Sequence, residues 1–311
     1  MNSTIAKKAY LRLPKAVRSF AKSAYLRLPK FCRRKLGRTL QERITDYHAN
    51  SPDPEIRAIL DHLSRNRLSI YNYAFTAEYV QREVDVRRDP DCGLFYVVEN
   101  GRKLYFKRSF NTVSSVAQYY NAMCMEQDPR SPHCYTTAAH AVSGGVVLDL
   151  GAAEGLFALR AVDHADALVL FECDEGWIEA LQHTFRPDAG KVRIVPKFVG
   201  DVDHEHGLTL DTFARKMVGE IKFIKMDIEG AEIRTLSGAA VFRAQHPNCR
   251  WSICAYHRAG DENRIRAFFK GGHVAPAPGY ILYLLDPELD EPFFRRGVIY
   301  VDPADEGRGL L

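Results

Sequence analysis

Three stretches of this sequence place reactive side chains at short intervals. Asp149-Leu150-Gly151-Ala152-Ala153-Glu154-Gly155 reads D-x-G-x-x-x-G. Lys225-Met226-Asp227-Ile228-Glu229-Gly230-Ala231-Glu232 sets three carboxylates within six residues. Cys254-Ala255-Tyr256-His257-Arg258 ends an apolar run on a histidine and an arginine. An unperturbed imidazole, with a pKa of about 6.5, suits the uptake of a proton near neutral pH, so His257 is a candidate general base. The competing reading is a histidine that caps the next helix. Asp227 and Glu229 complete the candidate catalytic set. Lys225 and Asp227 fall on one face of an extended strand, so a Lys225–Asp227 pair is expected. Glu229 and Glu232 also suit a helix N-terminus, which favours anions. Asp227, Glu229 and His257 could hold Mg²⁺ through oxygen ligands. No spacing demands it, and no metal is expected.

The glycine turn asks for a particular ligand. Gly151 is expected to let it lie against the backbone, and Gly155 to let a helix begin close to the strand. The dinucleotide pattern G-x-G-x-x-G is absent, and Asp149 would repel a phosphate. S-adenosylmethionine carries a sulfonium and an ammonium but no phosphate, so the acidic turn favours it over a nicotinamide cofactor. Glu172, in Phe171-Glu172-Cys173-Asp174, follows the turn by about 20 residues, where a carboxylate accepts ribose hydroxyls.

The surrounding pattern supplies a scaffold. Val146–Leu150, Ala167–Phe171, Val192–Val195, Ile221–Met226 and Trp251–Tyr256 read as strands, with helical stretches between most of them. Alternating strands and helices predict an α/β fold, a doubly wound and mostly parallel sheet with both faces covered. Tyr280–Leu285 and Val298–Val301 follow without a helix between them, which predicts an antiparallel C-terminal edge strand. Upstream, Glu99-Asn100-Gly101-Arg102 between Leu94–Val98 and Lys103–Lys107 predicts a hairpin. Asp53 and Pro54 predict the start of a helix ending near Arg67. Glu126–Tyr135, polar and broken by two prolines, reads as a loop covering the site, with His133 or Tyr135 touching the substrate and Arg258 beside them.

Charge divides the chain unevenly. The net charge is +4, but 12 of the 43 basic residues and none of the 39 acidic ones lie in residues 1–38, leaving 31 basic against 39 acidic in the rest. The leader repeats Ala-Tyr-Leu-Arg-Leu-Pro-Lys at Ala9 and Ala24 and holds an amphipathic stretch suited to an anionic membrane surface. A transit peptide and a passive tail are the other readings; nucleic acid is disfavoured because no base-reading motif accompanies the charge. Hydrophobic residues at 46% and charged residues at 26% exclude a disordered chain. No apolar run approaches the ~20 residues of a membrane span. Seven scattered cysteines without a C-x-x-C pair argue for a reducing compartment. The expected location is cytoplasmic, peripheral at the inner face of the membrane. Three parts are expected: a leader (1–38), a helical and hairpin extension (39–140) and a cofactor-binding domain (141–311).

At these motifs the chain resembles the FkbM family of S-adenosylmethionine-dependent methyltransferases. The match runs through Val147–Gly155, Phe171-Glu172, Thr209-Leu210-Asp211, Phe223–Glu232 and Leu236-Ser237-Gly238-Ala239, over about Gly145 to His257. Leu94–Tyr135 looks like the front half of a bacterial subgroup. Ala153 stands where the family usually has Asn, and Cys173 where it has Pro. The resemblance implies a class I methyltransferase (Rossmann-like) sheet and O-methylation of hydroxyls on sugars, glycolipids or natural products. The acceptor is then a small molecule, a glycan or a lipid-linked group. It implies that Gly151, Glu154 and Gly155 line the methionine end of the cofactor, with Asp149 and Ala152 in the same turn. It implies that Glu172 holds the ribose, that Asp201 lies near the adenine and that Asp227 faces the reacting centre. A nicotinamide-dependent oxidoreductase and a catalytically inactive scaffold at the membrane surface are the alternatives.

Overall fold

The computed structural model describes residues 40–303 apart from Glu288. The basic leader and its amphipathic stretch lie outside the described residues. Among the described residues no helix is long and apolar enough to cross a membrane. The chain divides into two compact units. One takes the residues up to Ala74 together with Tyr280–Arg295, and the other takes Phe75–Gly279 and the residues from Arg296 onward.

In the first unit, helix Pro54–Arg65 begins where Asp53 caps it, accepting from the N–H of Glu55 at 2.8 Å and of Ile56 at 3.3 Å. Ile56, Ile59 and Leu63 fall on one face of this helix. They share a core with Ile44, Leu282, Phe293 and Phe294. Ile281–Leu282 pairs antiparallel with Phe294–Arg295 in a two-stranded ribbon.

The second unit is built on seven strands: β1 (Val146–Leu150), β2 (Ala167–Phe171), β3 (Val192–Val195), β4 (Ile221–Met226), β5 (Arg250–Cys254), β6 (His273–Pro276) and β7 (Val298–Asp302). Their order is β6-β7-β5-β4-β1-β2-β3. The pairs among β1 to β5 are parallel, and β7 runs antiparallel to both its neighbours. Successive residues point to opposite faces. Val147, Leu168, Leu170 and Phe223 enter one core, and Val146, Leu148, Leu150, Ile224 and Trp251 enter the other.

Three expectations need correction. The antiparallel strand β7 is not the edge; β6 is. Val298 to Val301 are all buried, as an interior strand requires. β6, His-Val-Ala-Pro, is half-exposed and carries the proline that edges tolerate. Tyr280–Leu285, read as a late strand of this sheet, belongs in part to the ribbon of the first unit. Nor does a boundary fall near residue 140. The hairpin Phe95–Glu99/Arg102–Phe106 and helix Val113–Glu126 share a core with the sheet's first helices. Tyr105 N–H donates to Thr184 Oγ1 at 3.0 Å, which ties the hairpin to helix Glu175–Thr184. The turn uses Asn100 and Gly101 at φ 50° and 79°, the left-handed pair that a two-residue hairpin loop needs. A third strand, Arg87–Arg88, joins it.

Candidate active site

The ends of β1, β2, β4 and β5 bring the three motifs together. Gly151 sits at φ 81°, and a Cβ there would lie 2.0 Å from the carbonyl oxygen of Asp227. The room that the sequence assigned to a ligand is therefore taken by protein, as two strand-end turns press together. Gly155, expected to let a helix begin close to the strand, is needed for another approach: a Cβ would meet Leu181 and Phe185, at the end of helix Glu175–Thr184, at 2.6 and 3.0 Å. The N–H groups of Gly151 and Ala152 both donate to Phe171 O at 3.0 Å. Ala153 adopts φ 47°, a left-handed turn that an Asn tolerates better than Ala.

Each carboxylate of this turn has a separate fate. Glu172 accepts from the N–H of Ala153 at 2.9 Å, Cys173 at 2.6 Å and Asp174 at 2.8 Å. A carboxylate has about four lone-pair sites, so capacity for a ribose hydroxyl remains. Glu154 is buried and accepts from Tyr119 OH at 2.9 Å. Burial raises its pKa against the pull of that hydrogen bond. Asp149 is fully buried 3.0 Å from the Lys225 ammonium. The ammonium gives its aligned hydrogen bond to Gly151 O at 2.7 Å, and neither Asp149 oxygen meets an aligned donor. Burial pushes the Asp149 carboxyl up and Lys225 opposes it.

The expected Lys225–Asp227 pair is thus replaced by Lys225–Asp149. Parallel pairing sets Asp149 directly beside Lys225 across β1 and β4, while Asp227 lies past the end of β4. Asp227 instead accepts from Tyr135 OH at 2.7 Å and lies 3.4 Å from His257 Nε2 and 3.7 Å from His133 Nε2. Burial works to raise its pKa, but His257, Lys225 and His133 outweigh it and hold the carboxyl well below its usual range. On its other side, His257 Nδ1 lies 3.0 Å from Glu232 Oε1, and Glu229 Oε2 is 3.8 Å from Nε2. Burial works to lower the His257 pKa, but Glu232, Asp227 and Glu229 raise it to about 9. The unperturbed value assumed from the sequence is therefore wrong for this site: near neutral pH the ring is an imidazolium.

Donor atoms of Asp227, Glu232 and His257 lie within 4.8 Å of one another, as do those of His133, Asp227 and Cys254. The closest approaches of Asp227 and Glu232 are to opposite nitrogens of the His257 ring.

Glu126–Tyr135 is a wall of the site, not a cover. Asp128, Ser131, His133, Cys134 and Tyr135 are buried. Arg130 clamps Asp128 at 2.7–2.8 Å and Glu78 at 2.7 Å. Gln127 Oε1 accepts from Tyr135 N–H at 3.1 Å. The loop's polar residues bond inward, which the polarity of the sequence alone does not distinguish from exposure. Tyr135 points at Asp227, and His133 at Tyr256 OH, 3.0 Å away. Ser252, missed in the sequence, donates to Tyr135 O at 2.6 Å and meets His140 Nε2 at 3.0 Å, whose Nδ1 meets Asp302 at 2.8 Å. No local motif links these residues. Asp201 is paired with Arg234 at 2.7 Å. Arg258 is exposed, its guanidinium beside Gly230, where a Cβ would lie 3.1 Å from Nε.

Residues 197–279 match the family model of the methyltransferase FkbM domain. Over these residues the chain is similar to an FkbM methyltransferase domain. The matched span holds β4, β5 and the whole Asp227–Glu229–Glu232–His257 cluster; the glycine turn and Glu172 precede it. No curated protein matches the chain. Among solved structures, it is similar to the methyltransferase FkbM from Methylobacillus flagellatus KT, at 18% identity and a TM-score of 0.41 over 60% of this chain and 54% of that one. It is also similar to Trm5b from Pyrococcus abyssi, at 16% and 0.37 over 67% and 55%. A third is the T. Thermophilus 16S rRNA N2 G1207 methyltransferase in complex with AdoMet and guanosine, at 16% and 0.37 over 71% and 51%. The chain thus spans about half the length of each of these three. The FkbM domain sits on a class I methyltransferase sheet, mostly parallel with one reversed strand.

The donor set also bears on the cofactor. Around the turn stand Asp149, Glu154, Glu172 and Asp227; of the cations beside them, Lys225 is committed to Asp149 and Gly151 O, and the His257 ring lies between Asp227 and Glu232. A pyrophosphate would meet carboxylates whose neighbouring cations are already engaged. A phosphate-free cation bearing ribose hydroxyls fits.

Proposed function

We propose that this chain is an S-adenosylmethionine-dependent O-methyltransferase acting on a hydroxyl of a sugar, glycolipid, polysaccharide or natural product. Bound S-adenosylmethionine supplies an electrophilic methyl on a good leaving group, so the protein's work is positioning and proton removal. Glu172 accepts the ribose hydroxyls, and the carboxylates of the glycine turn favour the cofactor's positive charge. Asp227, held ionised by Tyr135 and its cationic neighbours, orients the acceptor hydroxyl. His257, in its neutral form, takes the hydroxyl proton at Nε2 as the new O–C bond forms.

The observation that carries this reading is the Asp227–His257 pair at the ends of β4 and β5, on an FkbM domain. The test is incubation of the full chain with methyl-labelled S-adenosylmethionine and total glycan and glycolipid extracts, read by mass spectrometry. Label should enter a hydroxyl-bearing product with wild type and fall about 100-fold or more with Asp227→Asn, the scale of a misplaced reacting group. Transfer to nitrogen, or undiminished transfer by the variant, would contradict the reading.

A further inference from the structure

Glu232 has no role in that reading beyond opening a helix, and its burial does not suit so small a task. It is the first residue of helix Glu232–Ser237 and is completely buried. A carboxylate that only complements a helix end can stay in water; one sealed from water costs several kcal/mol unless it is partnered.

Its partners are specific. Oε1 accepts from Ile228 N–H at 3.1 Å, and the same oxygen lies 3.0 Å from His257 Nδ1. The Nδ1–Oε1 approach is close without being aligned as a hydrogen bond, and Glu232 Oε2 meets no aligned donor; an imidazole nitrogen and a carboxylate oxygen this close, out of water, repel unless a proton lies between them. The ring's other nitrogen faces Asp227 Oδ1 at 3.4 Å and Glu229 Oε2 at 3.8 Å. The Ile228 bond ties the turn carrying Asp227 and Glu229 to the oxygen that meets the ring. Glu229 is held there at φ 58°, a left-handed conformation unusual outside glycine.

We infer that Glu232 is the positioning residue of the base: it keeps the proton of His257 on Nδ1 and leaves Nε2 to face the acceptor. This rests on the proposed role of His257. The groups facing the ring are Glu232 from the helix start, Asp227 from the end of β4, Glu229 from the turn between them, and Tyr256, whose ring centroid is 4.2 Å away. Asp261, at the start of helix Asp261–Phe268, also feels the ring's charge but is paired with Arg264 at 2.9 Å.

The test is long-range ¹H–¹⁵N NMR of the full chain, labelled with ¹⁵N-histidine and free of cofactor. His257 is assigned by the signal lost in His257→Gln. Neutral His257 should be the Nδ1–H tautomer in wild type, and Glu232→Gln should lower its titration midpoint by about one pH unit or more. A purely structural Glu232 would move neither reading. An Nε2–H tautomer in wild type, or a smaller shift in the variant, overturns the inference. Should the variant not fold, the wild-type tautomer decides alone. Because no cofactor is present, failure here leaves methyl transfer standing, and failure of cofactor binding leaves this result readable.

Discussion

Asp149 and Asp227 lie at the ends of neighbouring strands, yet their carboxyls shift in opposite directions. Asp149 is wholly sealed with Lys225 as its near cation, and burial wins, raising its pKa. Asp227, with a side chain 20% exposed, has His257, Lys225, His133 and the Tyr135 hydroxyl around it, and its pKa falls. One aspartate is spent on holding two strand-end turns together. The other is kept ionised where its side chain stays partly exposed. Burial alone therefore does not mark the chemical residue; the number and kind of its partners does.

The largest effect should come from the structural side. Lys225→Met leaves Asp149 without its cation in a dry site, and breaking such a pair costs about 3–5 kcal/mol. Urea unfolding measures it, and a loss below about 1 kcal/mol would mean that the pair does not hold the turn. The functional side should show itself through pH. The His257 pKa rises from 6.5 to about 9 on folding. The stability this lends is complete below about pH 6.5 and is lost as pH rises through about 9. The drop should be on the order of 3 kcal/mol and should vanish in His257→Gln; a flat profile in wild type would remove the charged ring from the account. The same value predicts that methyl transfer climbs with pH toward about 9, as neutral imidazole accumulates. The smallest effect is expected for Tyr135→Phe, which removes one hydrogen bond to a charged oxygen, worth about 1.5–3 kcal/mol. Acid unfolding should then begin at higher pH, because Asp227 gives up part of what holds it ionised. An unchanged acid limb would separate Tyr135 from Asp227.

Much of this was legible in the sequence because it is local. The apolar runs of β1 to β5, the Asn100-Gly101 turn and the Asp53 cap each depend on residues a few positions apart. What failed was long-range. Asp227 is Lys225's neighbour along the strand, but Asp149 is its neighbour across β1 and β4, and only the register reveals that. Residues 126–135 read as a cover because polarity in sequence does not say whether polar groups bond to water or to one another. Glu232 read as a helix-end anion because its partner, His257, is 25 residues away and meets it only when β5 pairs with β4.

The central claim is that an acidic, phosphate-averse turn on an FkbM domain binds a cationic cofactor. The most direct measurement is isothermal calorimetry of the full, folded chain against S-adenosylmethionine, with NADH titrated in parallel. Saturable one-to-one binding of S-adenosylmethionine is expected, with no heat beyond dilution for NADH. Binding of NADH alone, or of neither by protein shown to be folded, would contradict it.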